Sequence, residues 1–301
     1  MPNPTITGSS YAGEFAGKYI AASLFAAKTL DEAAVTILPN IKFKAAMKVG
    51  AFSNLVRSAD CDFDSTTSGL TLTEKVLTPT ELQVNLQICK KELHSDWEAA
   101  QMGFSAFDNL PPLFSDFVIA RVAAEVAQAT ETSIWSGSAG EGNFDGLFTL
   151  AGADSDVVDV SGIAITSSNV IAELAKVVDA IPSGVYGNED LVIYISSHIA
   201  KQYIAAQAAL GYRELYNVGQ TEMNFQGIPL FATKGLGDNA MMAGRKSNLY
   251  FGTGLLNDRN EVKVIDMADY DGSQNVRVVV RFTANVIHGF GGDIVLYHPT
   301  V

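Results

Sequence analysis

Cysteine, histidine, tryptophan and positive charge are all scarce in these 301 residues. The two cysteines, Cys61 and Cys89, show no C-x-x-C or Cys/His spacing, which leaves no signal for a disulfide framework or a zinc site. Four histidines, His94, His198, His288 and His298, include no pair at ligand spacing with each other, with a cysteine or with a carboxylate on a common face. Lys and Arg number 20 against 33 Asp and Glu, a net charge of −13. No basic cluster offsets that deficit, so tight phosphate-driven binding of nucleic acid is excluded and anionic membranes are repelled. No apolar run approaches a membrane span. The nearest candidate, residues 19–27, is bracketed by Lys18 and Lys28 and lacks a basic leader, so it does not read as a secretory signal. The expectation is a soluble chain made in a cytoplasm. Gly-Lys-Ser/Thr and G-x-S-x-G are both missing, which removes a P-loop and a nucleophile elbow.

What the chain does have is apolar content of 48%, enough for one large core or two modest ones. Its organising stretch is 111–147. Two prolines stand at the front, where a missing N–H costs nothing. Phe114, Val118, Val122 and Val126 then recur every four residues, flanked by Ile119 and Ala129. Nothing breaks the pattern before Ser136, so the spacing predicts a helix of roughly 23 residues, about 35 Å long. Gly137, Gly140, Gly142 and Gly146 follow within ten positions and close on Leu147 and Phe148. That is a beam with a fixed turn after it.

Taken in order, residues 1–13 are rich in Pro, Gly, Ser and Thr and read as an extended arm. Residues 14–28 read as a short amphipathic helix on Phe15, Tyr19, Ala22 and Ala26. Thr29 with Glu32 reads as a capping box for a second helical turn that Pro39 ends. Residues 47–56 and 70–76 read as strands around the polar, acidic tip 57–69, a hairpin too thin in apolar residues to stand alone. It needs another surface, and the readiest is a second copy. Residues 82–88 alternate as a half-buried strand, and 90–101 read as a short helix. Beyond 151 the texture is mixed. Helices are expected at 169–181, capped near Ser167 or Ser168, and at 197–210, stopped by Gly211. Strands are expected at 191–195, 227–232, 248–252, 262–265, 276–283 and 293–297, with Pro229 marking a strand edge or start and a polar hairpin tip at 269–273. The fold class is α+β.

Three candidate chemistries are weak. Asp60, Asp62 and Asp64 alternate as a calcium loop begins, but its sixth and twelfth positions hold Ser65 and Thr71 where Gly and Glu are needed. A solvated acidic tip is the better reading. Gly140-x-Gly142 follows a helix and opens no helix, unlike a dinucleotide loop. His198 beside Ser196 and Ser197 sits at a strand-to-helix junction, where serine caps by default. No cofactor, metal or catalytic residue is expected, and the chain does not read as an enzyme.

The order of parts resembles the major capsid proteins of tailed bacteriophages, with the Hong Kong 97-type fold. The stretch ETSIWSGSAGEGNFDGLF (131–148) is similar to the end of the family's spine helix and the loop after it. VLTPTELQVNLQICKKEL (76–93) resembles the return strand of the extended E-loop. DLVIYISSHIAKQYIAAQAALGYRELYN (190–217) is similar to a strand and helix of the axial domain. FQGIPLFAT (225–233) with AMMAGRKSNLYFG (240–252) resembles a strand pair after it, and VRVVVRFTANVIHGFGGDIVLY (276–297) the closing strands. Each match is loose, but five in order span nearly the whole chain.

The resemblance implies an N-terminal arm at 1–40, an E-loop hairpin at 41–78, and a peripheral domain with spine helix and glycine loop at 79–150. It implies an axial domain at 151–260, a peripheral-domain hairpin at 261–283 and axial-domain return strands at 284–301. It also implies hexamers and pentamers of one chain in an icosahedral shell, a virion capsid built in the host bacterial cytoplasm. Portal, scaffolding and possibly decoration proteins would be partners, and packaged double-stranded DNA would be met without sequence-specific contacts. Inter-subunit contacts would fall at the E-loop tip (Arg57, Asp60, Asp62, Asp64, Gly69) and the peripheral hairpin tip (Asp269, Asp271, Gly272). Some members weld subunits through a lysine near the E-loop tip. Residues 57–69 hold none, so assembly here is expected to be non-covalent. An encapsulin-like compartment shares the fold and stays open as an alternative, with a soluble metal-dependent α+β hydrolase a distant third.

Overall fold

The structure is a computed structural model that describes residues 28–32, 34–41, 43–52, 56, 58, 70–89, 112–140, 142–210, 223–254 and 263–299. Residues 14–27 of the helix expected at 14–28, the helix expected at 90–101, and the tip residues Arg57, Asp60, Asp62, Asp64 and Gly69, lie outside these residues.

The beam is there. Helix α2 runs Pro112–Ser136, 25 residues, and Val122 and Val126 of the expected stripe are buried. They pack on Val278 and Val280, with Val84, Val264 and Phe282 beside them. Two turns further on, Ile134 and Trp135 are fully buried in a second cluster with Tyr194, Met242, Phe251 and Val286. The helix therefore crosses from one sheet at its middle to the seam between two sheets at its end.

The first of these sheets is built on β12 (Asn275–His288). On one side β12 pairs antiparallel with β4 (Thr80–Cys89) from Asn275 to Ala284. On the other it pairs first with β11 (Lys263–Asp266), then with β10 (Leu249–Thr253), and β1 (Thr36–Leu38) adds a parallel edge strand to β10. The second sheet has six strands in the order β5-β13-β9-β6-β8-β7. These are β5 (Val158–Gly162), β6 (Leu191–Ser196), β7 (Met223–Phe225), β8 (Ile228–Thr233), β9 (Met241–Arg245) and β13 (Val295–Pro299).

The unbroken apolar run of β6 has a plain cause, since a strand covered on both faces has no reason to alternate. All six of its residues are buried. Leu191, Ile193 and Ile195 face helices α4 (Val170–Asp179) and α5 (Ser197–Ala209), whereas Val192 and Tyr194 face the end of α2. Pro229 stands at the start of β8, before its parallel pairing with β6 begins at Leu230.

Several local expectations need correcting. Thr29 does not cap a helix: it lies inside α1 (Lys28–Asp31), and its hydroxyl is committed to α2. Asn169, rather than Ser167 or Ser168, precedes α4, with its Oδ1 accepting from Thr166 N at 2.7 Å and its Nδ2 donating to Ala164 O. The glycine loop does open a helix, the short α3 (Leu147–Gly152). Strands β1, β5 and β7 are too short, or too polar in alternation, to signal themselves. The polar tip between β11 and β12 is a single helical turn, α6 (Ala268–Asp271).

Candidate functional site

The hairpin forms a sheet of its own. β2 (Ala45–Phe52) and β3 (Leu70–Leu77) pair antiparallel from Ala45↔Leu77 to Phe52↔Leu70, and among the described residues neither pairs with another strand. Side chains opposite each other share a face, which divides the ribbon cleanly. One face carries Ala46, Lys48 and Gly50 against Val76, Glu74 and Leu72, all exposed. Leu72 is 58% exposed and Phe43, just before β2, is 76% exposed. The other face, with Met47, Val49 and Lys75, is half-buried. A ribbon with two edges open among the described residues and Leu72 and Val76 exposed beside a Lys48–Glu74 pair is unfinished as a monomer's surface.

Its base is firmly seated. Leu77 is buried against Gly252 of β10, where an added Cβ would meet Leu77 Cδ2 at 2.3 Å, so only glycine lets the ribbon sit there. Lys75 Nζ donates to Asp154 Oδ2 at 2.9 Å, and His288 Nε2 reaches the same oxygen at 2.8 Å. Lys75, and then His288, hold the Asp154 carboxyl well below the usual carboxylate range. Burial pushes the His288 imidazole down despite Asp154 beside it. Each histidine contact to a carboxylate spans more than 130 residues of chain, which is why spacing could not show it. His298 does the same with Asp159, at 3.0 Å.

The tip between β11 and β12, which holds Asp269, Asp271 and Gly272, is ordered by hydrogen bonds among its own residues. Met267 N donates to Asn275 O at 3.0 Å, Ala268 N to Asp266 Oδ1 at 3.0 Å, and Ser273 N to Asp271 Oδ1 at 2.9 Å, while Gly272 takes the left-handed conformation (φ 70°) that ends the turn. Asp269 lies within that turn. The sequence reading overlooked Tyr270, which this rigid turn leaves 78% exposed between two aspartates. A large aromatic on a pre-ordered tip is the kind of residue that anchors interfaces.

The glycine loop is closed on itself. Gly146 N donates to Gly137 O at 2.9 Å, Ala139 N to Asp145 Oδ1 at 2.7 Å, and Asn143 N to Gly140 O. A Cβ on Gly146 would lie 2.5 Å from Trp135 O. These amides turn inward to hold a corner, so they do not cradle an anion. Ser196 Oγ accepts from Ile199 N at 3.2 Å and donates to Asp238 O, while the His198 ring meets Gln202, so no nucleophile–base pair forms there. Among the described residues no three His, Cys, Asp or Glu side chains are grouped to hold a metal.

A polar node inside the molecule had no sequence signal at all. Glu131, on α2, is fully buried with Thr29, Thr233 and Trp135. Its Oε1 accepts from Thr29 Oγ1 at 2.7 Å and from Thr233 Oγ1 at 2.8 Å, its Oε2 accepts from Thr29 N, and Trp135 Nε1 donates to Thr29 Oγ1 at 2.7 Å. One carboxylate thus ties the entry of the chain, the long helix and the end of β8 together.

No protein-family model matches the chain, and no curated relative matches it. Solved structures do. The capsid of a native GTA particle, computed with C5 symmetry, is 14% identical over 100% of this chain and 96% of that chain, at a TM-score of 0.68. The capsid of Myoviridae phage XM1 is 13% identical over 95% of this chain and 97% of that one, at 0.62. A virus-like particle from Pyrococcus furiosus is 10% identical over 91% and 97%, at 0.50. At such identities the likeness speaks for the fold, and the fold is the Hong Kong 97-type capsid fold.

Proposed function

We propose that this chain is a shell-forming structural protein, the major capsid protein of a tailed bacteriophage. Its copies gather as hexamers and pentamers into an icosahedral shell around double-stranded DNA. The observation that carries this reading is the β2–β3 ribbon, whose two outer edges are unpaired among the described residues and whose open face exposes Leu72 and Val76, which a lone subunit gives no reason to keep. Laid on a neighbour, it buries that face in a heterologous contact, and contacts of that type close into rings. Each is modest, but every subunit makes several. The peripheral tip with Asp269, Asp271 and Gly272, now joined by Tyr270, would supply a second contact, and the E-loop tip with Arg57, Asp60, Asp62, Asp64 and Gly69 a third.

In this reading 1–40 is the arm, 41–78 the E-loop, 79–150 and 261–283 the peripheral domain, and 151–260 with 284–301 the axial domain. A net charge of −13 suits a wall that must not adhere to the DNA it holds. Portal, scaffolding and possibly decoration proteins are the further partners, and no catalysis is involved.

The test is negative-stain electron microscopy of the purified chain, alone and with any scaffolding protein found encoded beside it. Closed shells of uniform diameter are expected. A discrete small oligomer carrying stoichiometric metal would overturn the proposal in favour of an enzyme. An encapsulin-like compartment is a second reading, since the same fold also builds a virus-like particle in Pyrococcus furiosus. Genes for portal and terminase beside this one favour the virus, and a gene for a peroxidase or ferritin-like cargo favours the compartment.

A further inference from the structure

We propose that the base of the ribbon is a proton-gated latch: on gaining a proton, His288 takes Asp154 from Lys75 and frees the ribbon to turn about Leu77. Three observations carry it, and none depends on whether the chain builds a shell.

The first is that two donors, the Lys75 ammonium and the neutral His288 ring, share one acceptor atom. Lys75 Nζ and His288 Nε2 both bond Asp154 Oδ2, at 2.9 and 2.8 Å. A carboxylate only accepts, so Nε2 carries the ring's hydrogen. The second concerns the opposite ring nitrogen, Nδ1, which is buried and has no hydrogen-bond partner among the described residues. The neutral ring tolerates that at the cost of an unused lone pair. A protonated ring would present a buried N–H with nothing to accept it, close to the Lys75 ammonium. The charged groups acting on the ring are Asp154, from the turn after α3, and Lys75, from β3. Its neighbours on the β10 side, Asn248 and Leu249, carry no charge.

The third observation is room to move. The ribbon is gripped through Lys75 on its half-buried face, whereas Val76, on the outer face, borders a cleft of about 380 Å³. That cleft lies between the ribbon base, the glycine loop at Ala139–Asp145 and β12, with Phe144 and Leu150 in its wall. Leu77 is the pivot, buried against β10. Release of Lys75 removes the like charge, lets water reach the ring, and allows Val76 to close on the apolar wall.

The sign follows from burial. The native ring holds a proton less readily than it would in an unfolded chain, so acidification through the ordinary histidine range works against the latched arrangement. Above that range the ring is neutral, Asp154 serves both donors, and the latch holds.

Hydrogen exchange of the full-length purified chain tests this, with protection factors of the Thr73–Leu77 amides compared at pH 8 and pH 5 after correction for intrinsic rates. A fall of at least tenfold is expected in the wild type, while β6 and α4 keep their protection. His288→Gln keeps a donor for Asp154 and removes the titration, so its ribbon protection should change by less than twofold. Lys75→Met should be poorly protected at both pH values. The proposal is overturned if wild-type ribbon protection does not change with pH, if His288→Gln falls as the wild type does, or if Lys75→Met stays protected at pH 8. Should His288→Gln lose protection in β6, His288→Asn replaces it with the same expected result. The shell proposal is tested by microscopy, so the failure of either leaves the other standing.

Discussion

At the scale of single residues, the most informative position is Thr29. Its hydroxyl accepts from Trp135 Nε1 and donates to Glu131 Oε1, and all three residues are sealed from solvent. Thr29→Val keeps the shape and removes both bonds, which leaves a buried indole N–H and a buried carboxylate each short of a partner. At about 1–3 kcal/mol for each of the two groups, the loss should be about 2–6 kcal/mol in urea unfolding. Thr29→Ser should recover all but about 1 kcal/mol, and equal stability of the two variants would show that the hydroxyl is irrelevant. The sequence misled here for a physical reason. Thr-x-x-Glu is a capping pattern read over four residues, whereas the true partners are 102 and 106 residues away. The same holds for His288 and Asp154, whose pairing rests on the end of β12 and the turn after α3, which the fold brings together from 134 residues apart. Local spacing reports local partners, and side chains at a buried node answer to tertiary neighbours.

Among the elements, the long helix was legible because its signal is repeated. Two prolines, a four-residue stripe and a run free of breakers all argue for the same span, and the helix runs to Ser136 as expected. The closing glycines were legible as a corner, but the short helix after them was not, since Leu147–Gly152 has too few residues to show a period. Strand β6 announced itself by apolarity alone, while the edge strands β1 and β7, three residues each, could not. The helix also supports the two sheets, which makes a prediction at this scale. Val126→Pro removes the N–H that bonds Val122 O and drives its ring into that carbonyl, in the middle of the stripe that holds Val278 and Val280. A loss of about 3 kcal/mol or more is expected, seen as a lowered midpoint in thermal melts followed by circular dichroism. Val126→Ala, which keeps the helix and forfeits only packing, should lose less. A proline variant that melts with the wild type would refute the beam.

For the whole molecule, the division of labour is between what folds the subunit and what the subunit offers outward. The three apolar clusters draw on both sheets and five helices, and among the described residues none of β2 or β3 belongs to any of them. The sequence foretold this in its own terms, because the hairpin had too few apolar residues to close on itself while the rest of the chain had enough. It could not foretell how the ribbon is seated, since Gly252 and Asp154 become its supports only once β10 and the turn after α3 are in place. Folding and assembly should therefore separate when the ribbon is shortened. Replacing 57–69 by a two-residue turn removes Arg57, Asp60, Asp62, Asp64 and Gly69 together and leaves every cluster intact. The shortened chain is expected to melt within about 2–4 °C of the full one, a shift of roughly 1 kcal/mol for a domain of this order. By light scattering and electron microscopy it should yield no stable shells, because the contact that the tip of each copy makes with its neighbour has gone while the β2–β3 face alone is left to hold it. If the shortened chain forms normal particles, the tip is dispensable and another surface must hold the shell. If it fails to fold, the ribbon belongs to the core after all, and the separation argued from the clusters is wrong.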